Sequence, residues 1–542
     1  MFFLISQLIR DIKGDIFIYG VGHYAQDIYR KFCDSPLEKQ IKAFVVTEKC
    51  EKIEFFGKPI YSISELREYY NDETILVSVS KKYSDEIKNK LEKESFTKIL
   101  FLADYEYKNF DLWKNYRGKH TTEYIEYIQN WEWNFIPCKE DRQCYGLRPA
   151  KHKKQIIFII GMEMALPRII KIIKALKENG YDIVVLCYGG VSGNVVQKEL
   201  SEYQIVIEQC RYMEELMYKM LKYNPLLYHI EPAWGDCSWA DVLVQQKDMF
   251  GKIVIDLYDV FNDGLVFASE EQKEMEKYAL EHADGIVWRW YAKEQLERQG
   301  FRLRGKSIQF LDYCIGNGDT AHQSQLGVNS DTVEICFVCG HPNFLFETYT
   351  EMSNGYAVHA NIYDILKQIG NHDCCFHLYA WGLTEEAMKK CKALEAECDN
   401  FQAFFGYEHQ QLLDRIKGYD YGCMIFTEGQ DVPDNITVDG RYFGTVFKDA
   451  TCNKYFDYID AGIPVIATLP QKICDYLEDF GVLIKMNSST LDIDLLRKKR
   501  FYYRQRVKEV KHELSVEYQV FRLIEFFNDV AYGGSESGKL SV

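Results

Sequence analysis

Asn453-Lys454-Tyr455-Phe456-Asp457-Tyr458-Ile459-Asp460-Ala461-Gly462-Ile463-Pro464-Val465-Ile466-Ala467-Thr468 is the stretch from which the rest of the chain can be read. Its pattern predicts a helix over Asn453–Asp460 and a buried strand over Pro464–Thr468. Gly462 stands where a helix needs a residue of positive φ to stop, and Pro464 forbids its continuation. Helical spacing brings Lys454, Asp457 and Ala461 onto one face. The helix–Gly–Pro–strand turn alone belongs to any α/β protein; the cation and carboxylate three residues apart make it more specific.

Outward from this stretch the same theme recurs in three blocks: a short apolar run, a turn, then a helical pattern. Such alternation signals α/β architecture with parallel sheets covered by helices. The first block has strand candidates at Ile16–Tyr19, Ile41–Val46, Thr74–Ser78 and Lys98–Leu102. The second has Gln155–Ile160, Asp182–Cys187, Leu226–Ile230, Lys252–Leu257 and Ala283–Trp288. The third has Val333–Val338, Cys375–Tyr379 and Tyr421–Phe426 ahead of the opening stretch. Tyr105 to Ala150 is rich in Trp and Tyr and reads as a helical connector. The expected divisions are 1–104, an accessory domain; 105–150, the connector; 151–318 and 319–505, two lobes; 506–532, a closing helix; and 533–542, a Gly/Ser-rich disordered tail.

The 453–468 stretch resembles the donor-site motif of GT-B glycosyltransferases of the group 1 kind. There an Asn-Lys or Thr-Lys precedes an acidic residue, an aromatic and an Ala-Gly-x-Pro-Val-Ile run. Glu270 to Asn317 is similar to the end of that family's acceptor lobe, and Val333–Gly340 to the first strand of its donor lobe. Phe401 to Phe426, with Gly406 and Asp420, is similar to the stretch that follows. The resemblance spans roughly residues 155 to 530 and implies a GT-B fold of two Rossmann-like lobes preceded by a further N-terminal domain. It implies transfer of a sugar from a nucleotide-diphosphate sugar to a glycan, lipid-linked or protein acceptor in surface-polysaccharide or glycoconjugate assembly. The nucleotide sugar is a co-substrate; no other cofactor and no metal are implied.

Carried over residue by residue, the resemblance assigns Asp457 to the donor's ribose or sugar hydroxyls, since a carboxylate can accept from both hydroxyls of a diol. It counts Asn453 among the donor-binding residues, sets Lys454 near the diphosphate, and has the backbone from Gly462 to Val465 approach the nucleotide. Gly161 matches the loop after the first acceptor-lobe strand. His229, in Tyr228-His229-Ile230-Glu231-Pro232, resembles the histidine beside the reacting sugar, and is otherwise a packed strand-end histidine. Glu231, Asp236 and His229 are the candidates for a general base. The Arg and Lys that many relatives set against the leaving diphosphate have no clear match; His341 is the nearest polar substitute. Glu428 is the candidate first member of the family's acidic pair, but an insertion, Gly429–Thr451 with Asp431, Asp434, Asp439 and Arg441, separates it from Asp457.

In the first block, Gly20-Val21-Gly22-His23-Tyr24-Ala25 is a Gly-x-Gly-x-x-Ala turn between strand and helix, a phosphate-cradling pattern with Gly20 and Gly22 as its glycines. No acidic residue stands at the end of the next strand to grip a ribose; Glu48 is the nearest. The block resembles the N-terminal domain of sugar O-acyltransferases that act on nucleotide sugars. That implies binding or scaffolding rather than redox chemistry.

Bulk properties narrow the field. A net charge of −16 over 542 residues argues against a nucleic-acid partner, which would need cations to displace counterions from phosphates. The basic cluster Arg497, Lys498, Lys499, Arg500, Arg504, Arg506 and Lys508 reads either as a solvated helix face or as a contact with an anionic membrane surface. The 17 cysteines form no framework, no cleavable leader is legible at Met1–Ile9, and a cytoplasmic setting with free thiols is expected. Cys336 and Cys339 have CxxC spacing but fall in a strand, where residues three apart face opposite ways, so zinc is not expected. Three alternatives stay open: a non-catalytic GT-B partner of an active transferase, a nucleotide-sugar epimerase, and an oxidoreductase run by the first block.

Overall fold

A computed structural model of the chain describes residues 8, 11–32, 36–48, 53–79, 81–105, 150–161, 167–188, 200–210, 213–232, 240–257, 270–289, 293–316, 331–339, 362–370, 373–380, 385–407, 409–424, 437–438, 441–442, 453–467, 472–486 and 491–533. The expected connector, tail, His341, Glu428 and Asp236 lie outside them. The chain divides into two compact units: Met1–Ala165 with Tyr181–Asp256 and Ala268–Gly285, and Leu166–Gly180 with Leu257–Phe267 and Ile286–Val542. The described strands form three mainly parallel sheets and one small antiparallel ribbon.

In the first unit, the N-terminal sheet holds β1 (Ile16–Tyr19), β2 (Ile41–Val46), β3 (Glu54–Phe55), β4 (Lys58–Ser62), β5 (Thr74–Val77) and β6 (Ile99–Phe101), in the order β3-β4-β2-β1-β5-β6. Every residue of β1 and β5 is buried, which is why these runs are continuously apolar rather than alternating. After β1 the chain enters α1 (His23–Phe32). The same unit holds β7 (His152–Ile160), β8 (Asp182–Tyr188), β9 (Val206–Cys210), β10 (Pro225–Glu231) and β11 (Ile253–Leu257), in the order β11-β10-β7-β8-β9. Strand order reverses between β7 and β10, which pair in parallel with Phe158 opposite His229.

In the second unit β12 (Gly285–Trp288) runs beside β13 (Lys306–Gln309). Its own sheet holds β14 (Val333–Cys339), β15 (Cys374–Ala380), β16 (Phe401–Phe405) and β17 (Tyr421–Met424). After the ribbon of β18 (Thr437–Val438) and β19 (Arg441–Tyr442) come β20 (Val465–Ala467) and β21 (Leu483–Lys485). The order is β16-β15-β14-β17-β20-β21, all parallel, so the first strand sits centrally and the order reverses between β14 and β17. This is the Rossmann order of an open doubly wound sheet. The α/β class, with a sheet for each expected lobe and a further N-terminal sheet, is as the sequence led one to expect.

The helices that matter below are α2 (Pro167–Glu178), α3 (His409–Ile416), α4 (Asn453–Asp460), α5 (Ile493–Val510) and α6 (Val516–Tyr532), all in the second unit. Asp492 caps α5 and Ser515 caps α6 through their side-chain oxygens. Helix α5 runs straight through the division expected at 505/506, because its apolar positions Ile493, Leu496, Val507 and Val510 stay buried along its length. Four cations of its basic cluster are spent within the chain. Arg497 donates to Asp331 O, Arg500 pairs with Asp420, Arg504 donates to Lys417 O, and Arg506 pairs with Glu509. None of the helices among the described residues is long and apolar enough to cross a membrane.

Candidate functional site

The Asn453–Ala467 segment folds as its pattern predicts. Helix α4 ends at Asp460, the turn after it passes through Gly462, whose φ is +78°, and β20 begins one residue later than expected, at Val465. A Cβ on Gly462 would meet nothing within 4 Å, so the glycine answers to its backbone conformation rather than to a close approach. Val465 is fully buried between Gly422 and Leu483 at the amino end of β20. Gly462 and Val465 therefore make the turn and the sheet, whereas ligands of open parallel sheets collect at the carboxyl ends.

Helix α4 is buried on almost every side, with Tyr455, Phe456, Tyr458 and Ile459 at 0% exposure. It is moored by Tyr458. The hydroxyl of Tyr458 accepts from Val338 N–H at 2.8 Å and donates to Cys423 O at 3.0 Å, bridging the carboxyl halves of β14 and β17 where the strand order reverses. The ring lies flat on Gly422, where a Cβ would come within 2.2 Å of it.

A buried helix with two carboxylates needs counter-charges, since an unpaired buried charge is prohibitively costly. They come from far along the chain. Asp457 accepts from His409 Nε2 at 3.0 Å, His409 being the first residue of α3. Asp460 Oδ2 takes Lys171 Nζ of α2 at 2.7 Å, and its Oδ1 takes Ile315 N–H at 2.5 Å. Lys171 also donates to Tyr313 O at 3.0 Å, and Lys511 donates to Asp460 O at 2.8 Å. At the start of α4, Arg289 donates to Asn453 Oδ1 at 2.5 Å and reaches Asp312 at 3.3 Å. Burial opposes the charge on Lys171, but the fields of Asp460 and Asp457 outweigh it and raise its pKa. His409 behaves alike: burial lowers its pKa, the hydrogen bond and field of Asp457 raise it, and the net direction is upward.

Asp457 has one oxygen committed to His409, while Oδ2 accepts no hydrogen bond from any described residue. The carboxylate is thus held by one oxygen, with the other accepting from no described residue. Lys454 is half-buried one turn earlier. The sequence offered no sign of His409, Lys171 or Arg289 as neighbours of this helix. They stand 48, 289 and 164 residues from their partners, and only the need to neutralise two buried carboxylates could have said that cations must arrive. Asp420 proves to be a fastener: it accepts from Glu334 N–H at 3.0 Å and faces Arg500 at 3.5 Å.

A second group gathers in the first unit, at the carboxyl ends of β7, β10 and β11. Gly161 N–H donates to Glu231 O at 2.9 Å. The His229 ring packs 4.7 Å from Phe158, with Nε2 3.4 Å from the Asp256 carboxylate. His229, Glu231 and Asp256 are 0%, 1% and 1% exposed. The structure brings Gly161, His229 and Glu231 together and adds Asp256, but gives the histidine a packed setting rather than an open one. His229→Ala is therefore expected to lower stability by about 1–3 kcal/mol, read as a fall in melting temperature. Unchanged melting with lost turnover would restore His229 to an open cleft.

In the N-terminal sheet Gly20 has φ +114°, donates to Val45 O at 2.8 Å, and leaves only 3.1 Å between a would-be Cβ and Ser78. Tight packing thus accounts for Gly20, whereas Gly22 is exposed with open space around it. At the end of β2, Tyr19 and Thr47 share a 2.5 Å hydrogen bond, and Glu48 is exposed. Cys336 and Cys339 are both buried in β14.

No protein-family model matches the chain, and no curated protein matches its sequence. Among solved structures, it is similar to a glycosyltransferase from Rickettsia africae ESF-5, at 13% identity and TM-score 0.47, over 70% of this chain and 100% of that one. It is similar to sucrose-phosphate synthase from Thermosynechococcus elongatus, at 12% identity and TM-score 0.46, over 69% of this chain and 99% of that one. It is also similar to Alr3699/HepE of Anabaena solved with UDP and glucose, at 12% identity and TM-score 0.43, over 69% and 98% of the two chains. At these identities the likeness is one of fold.

Proposed function

We propose that the chain is a GT-B glycosyltransferase that takes a sugar from a nucleotide-diphosphate donor and passes it to an acceptor in surface-polysaccharide or glycoconjugate assembly. One observation carries this reading. The helix bearing Asn453, Lys454 and Asp457 is moored across β14 and β17, where the strand order of a Rossmann sheet reverses and where open sheets collect ligands. There Asp457 has one carboxylate oxygen that accepts from no described residue and suits a sugar or ribose hydroxyl. Lys454 and the helix amino end supply positive potential for a diphosphate. In the first unit, Gly161, His229 and Glu231 lie together at the reversal between β7 and β10, with Asp256 as the partner of His229.

Calorimetry with UDP, GDP and their sugars tests the donor site. Asp457→Ala removes a charge-assisted acceptor and is expected to weaken binding of the preferred nucleotide sugar by about 1.5–3 kcal/mol, roughly 10- to 150-fold. Normal affinity in the variant would make Asp457 a partner for His409 and nothing more. A folded wild-type protein that binds none of these compounds would sink the transferase reading.

A further inference from the structure

Large apolar side chains that face water are few among the described residues, and three of them stand on α5: Leu495, Phe501 and Tyr502, at 39%, 56% and 55% exposure. Helical spacing sets Leu495 in line with Tyr502 and Phe501 beside Lys498, so they share the outer half of the helix. Ile493, Leu496, Arg500, Val507 and Val510 are the buried, inner half. The cations of α5 divide along the same line. Arg497, Arg500 and Arg504 are fastened to carbonyls of Asp331, Thr332 and Lys417, and Arg506 to Phe480 O. Lys498, Lys499 and Lys508 are exposed and have no acidic partner among the described residues. The two exposed acids of the helix are each held by an arginine three residues away, Asp494 by Arg497 and Glu509 by Arg506. Asp492 is spent on the cap, Glu478, whose field reaches Tyr503, is held by Lys485, and Glu513 stands beyond the helix end. The outer half thus carries three uncompensated positive charges among three apolar side chains, in a chain of net charge −16. Helix α6 is the contrast. Tyr518 and Phe521 are as exposed, but its one cation, Arg522, is spent on Tyr313 and Gln309 O against three acids, Glu517, Glu525 and Asp529.

We propose that the outer half of α5 docks on an anionic phospholipid surface, with the helix lying along the plane of the headgroups. Docking of this kind stands apart from the donor site and needs no nucleotide. The charge complements such a surface, and the kind of cation fits it. Lysine is a hydrated point charge on a flexible stem, suited to a fluid array of phosphates that offers no fixed geometry. The planar arginine forks, which a protein partner would use, are turned inward to hold the helix. Leu495, Phe501 and Tyr502 can enter the zone between headgroups and acyl chains, where aromatic rings collect, while the lysine stems lie along it and their ammonium groups stay at the phosphates. Each lysine close to an anionic leaflet strengthens binding about fivefold. The acidic remainder of the chain is repelled by the same surface, so the surplus on α5 also orients the approach.

The test sediments the full chain with vesicles of phosphatidylcholine alone and of phosphatidylcholine mixed with phosphatidylglycerol. The wild type is expected to bind the mixed vesicles, to ignore the neutral ones, and to be released as salt is raised. Replacing all three lysines, in Lys498→Gln with Lys499→Gln and Lys508→Gln, should weaken binding about a hundredfold. Phe501→Ser with Tyr502→Ser should weaken it about tenfold. Melting transitions of both variants should match the wild type, since every changed side chain is exposed. Should the aromatic variant not fold, the wild type on the two kinds of vesicle and the lysine variant decide. Phe521→Ser on α6 is the control and should bind as the wild type does. Folded wild type that leaves the mixed vesicles free, or sediments equally with neutral ones, overturns the inference. So does undiminished binding by either folded α5 variant, or an equal loss in Phe521→Ser. Self-association of the wild type that the lysine variant undoes, without vesicle binding, overturns it as well and assigns the face to a second copy. None of these outcomes touches nucleotide affinity, which is measured separately.

Discussion

Gly422→Ala is expected to abolish stable folding of the second unit's sheet. Gly422 lies in β17 between Cys336 of β14 and Val465 of β20, and the Tyr458 ring covers it. A methyl group there would sit 2.2 Å from the ring carbons, well inside van der Waals contact. The ring cannot step aside. It is wholly buried, and its hydroxyl is tied to Val338 N–H and Cys423 O, so any shift breaks both bonds and leaves two buried polar groups unsatisfied. Overpacking by itself costs about 1–3 kcal/mol, and each orphaned group adds about 1–3 more. The expected readout is aggregation on expression or loss of the cooperative transition. Gly462→Ala is the control: its φ is +78° but the space is open, so the cost should be about 1 kcal/mol. Removing the ring as well, in Gly422→Ala with Tyr458→Ala, should recover part of the loss. Wild-type stability in Gly422→Ala would mean that α4 does not lie on β17 as described.

Lys171→Met is expected to destabilise the same unit by about 3–5 kcal/mol, the usual consequence of leaving one member of a buried ion pair behind. The side chains of Lys171 and Asp460 are 7% and 4% exposed, and the pair closes contacts from α2, the Tyr313–Ile315 strip and the end of α4. Without the ammonium, the Asp460 carboxylate keeps only Ile315 N–H among the described residues and must protonate or pull water inward. Chemical denaturation should show a lower midpoint, and the loss should shrink at acid pH, where a carboxyl without its cation accepts a proton more readily. Adding Asp460→Asn, which removes the stranded charge but keeps an acceptor for Ile315 N–H, should restore part of the stability. A midpoint unchanged in Lys171→Met would show that the pair is solvated and dispensable. Donor affinity measured on surviving protein is informative too, because Asp460 and Asp457 share a helix and any slackening of α4 should weaken binding.

Much of the architecture was legible in the sequence because it is written in local rules. Continuous apolar runs such as Ile156–Ile160 and Ile335–Val338 declare strands buried on both faces, and the reach from Asn453 through Gly462 to Val465 declares a helix, its stop and the next strand. Each depends on a few neighbouring residues, so each survives without knowledge of the fold. How far an element runs depends on long-range packing instead. Helix α5 crosses the division placed at 505/506, since its buried positions find partners that no local pattern announces.

The candidate site divides in the same way. Asp457 was singled out by the resemblance of the 453–468 stretch to a GT-B donor-site motif, while helical spacing and the turn after it, which are local, gave the helix it stands on. That His409 holds it, that Lys171 and Ile315 hold Asp460, and that Arg289 holds Asn453 could not be read. Nor could the sequence tell Gly20 and Gly462 apart. One is crowded by Ser78 and the other stands in open space, and the choice between a packing role and a purely conformational one lies in what surrounds a residue. Chemistry demanded that buried carboxylates be neutralised. Which cations do it was decided only when strand order brought α2, α3 and α4 together, since burial fixes the sign of the partner and topology fixes its identity.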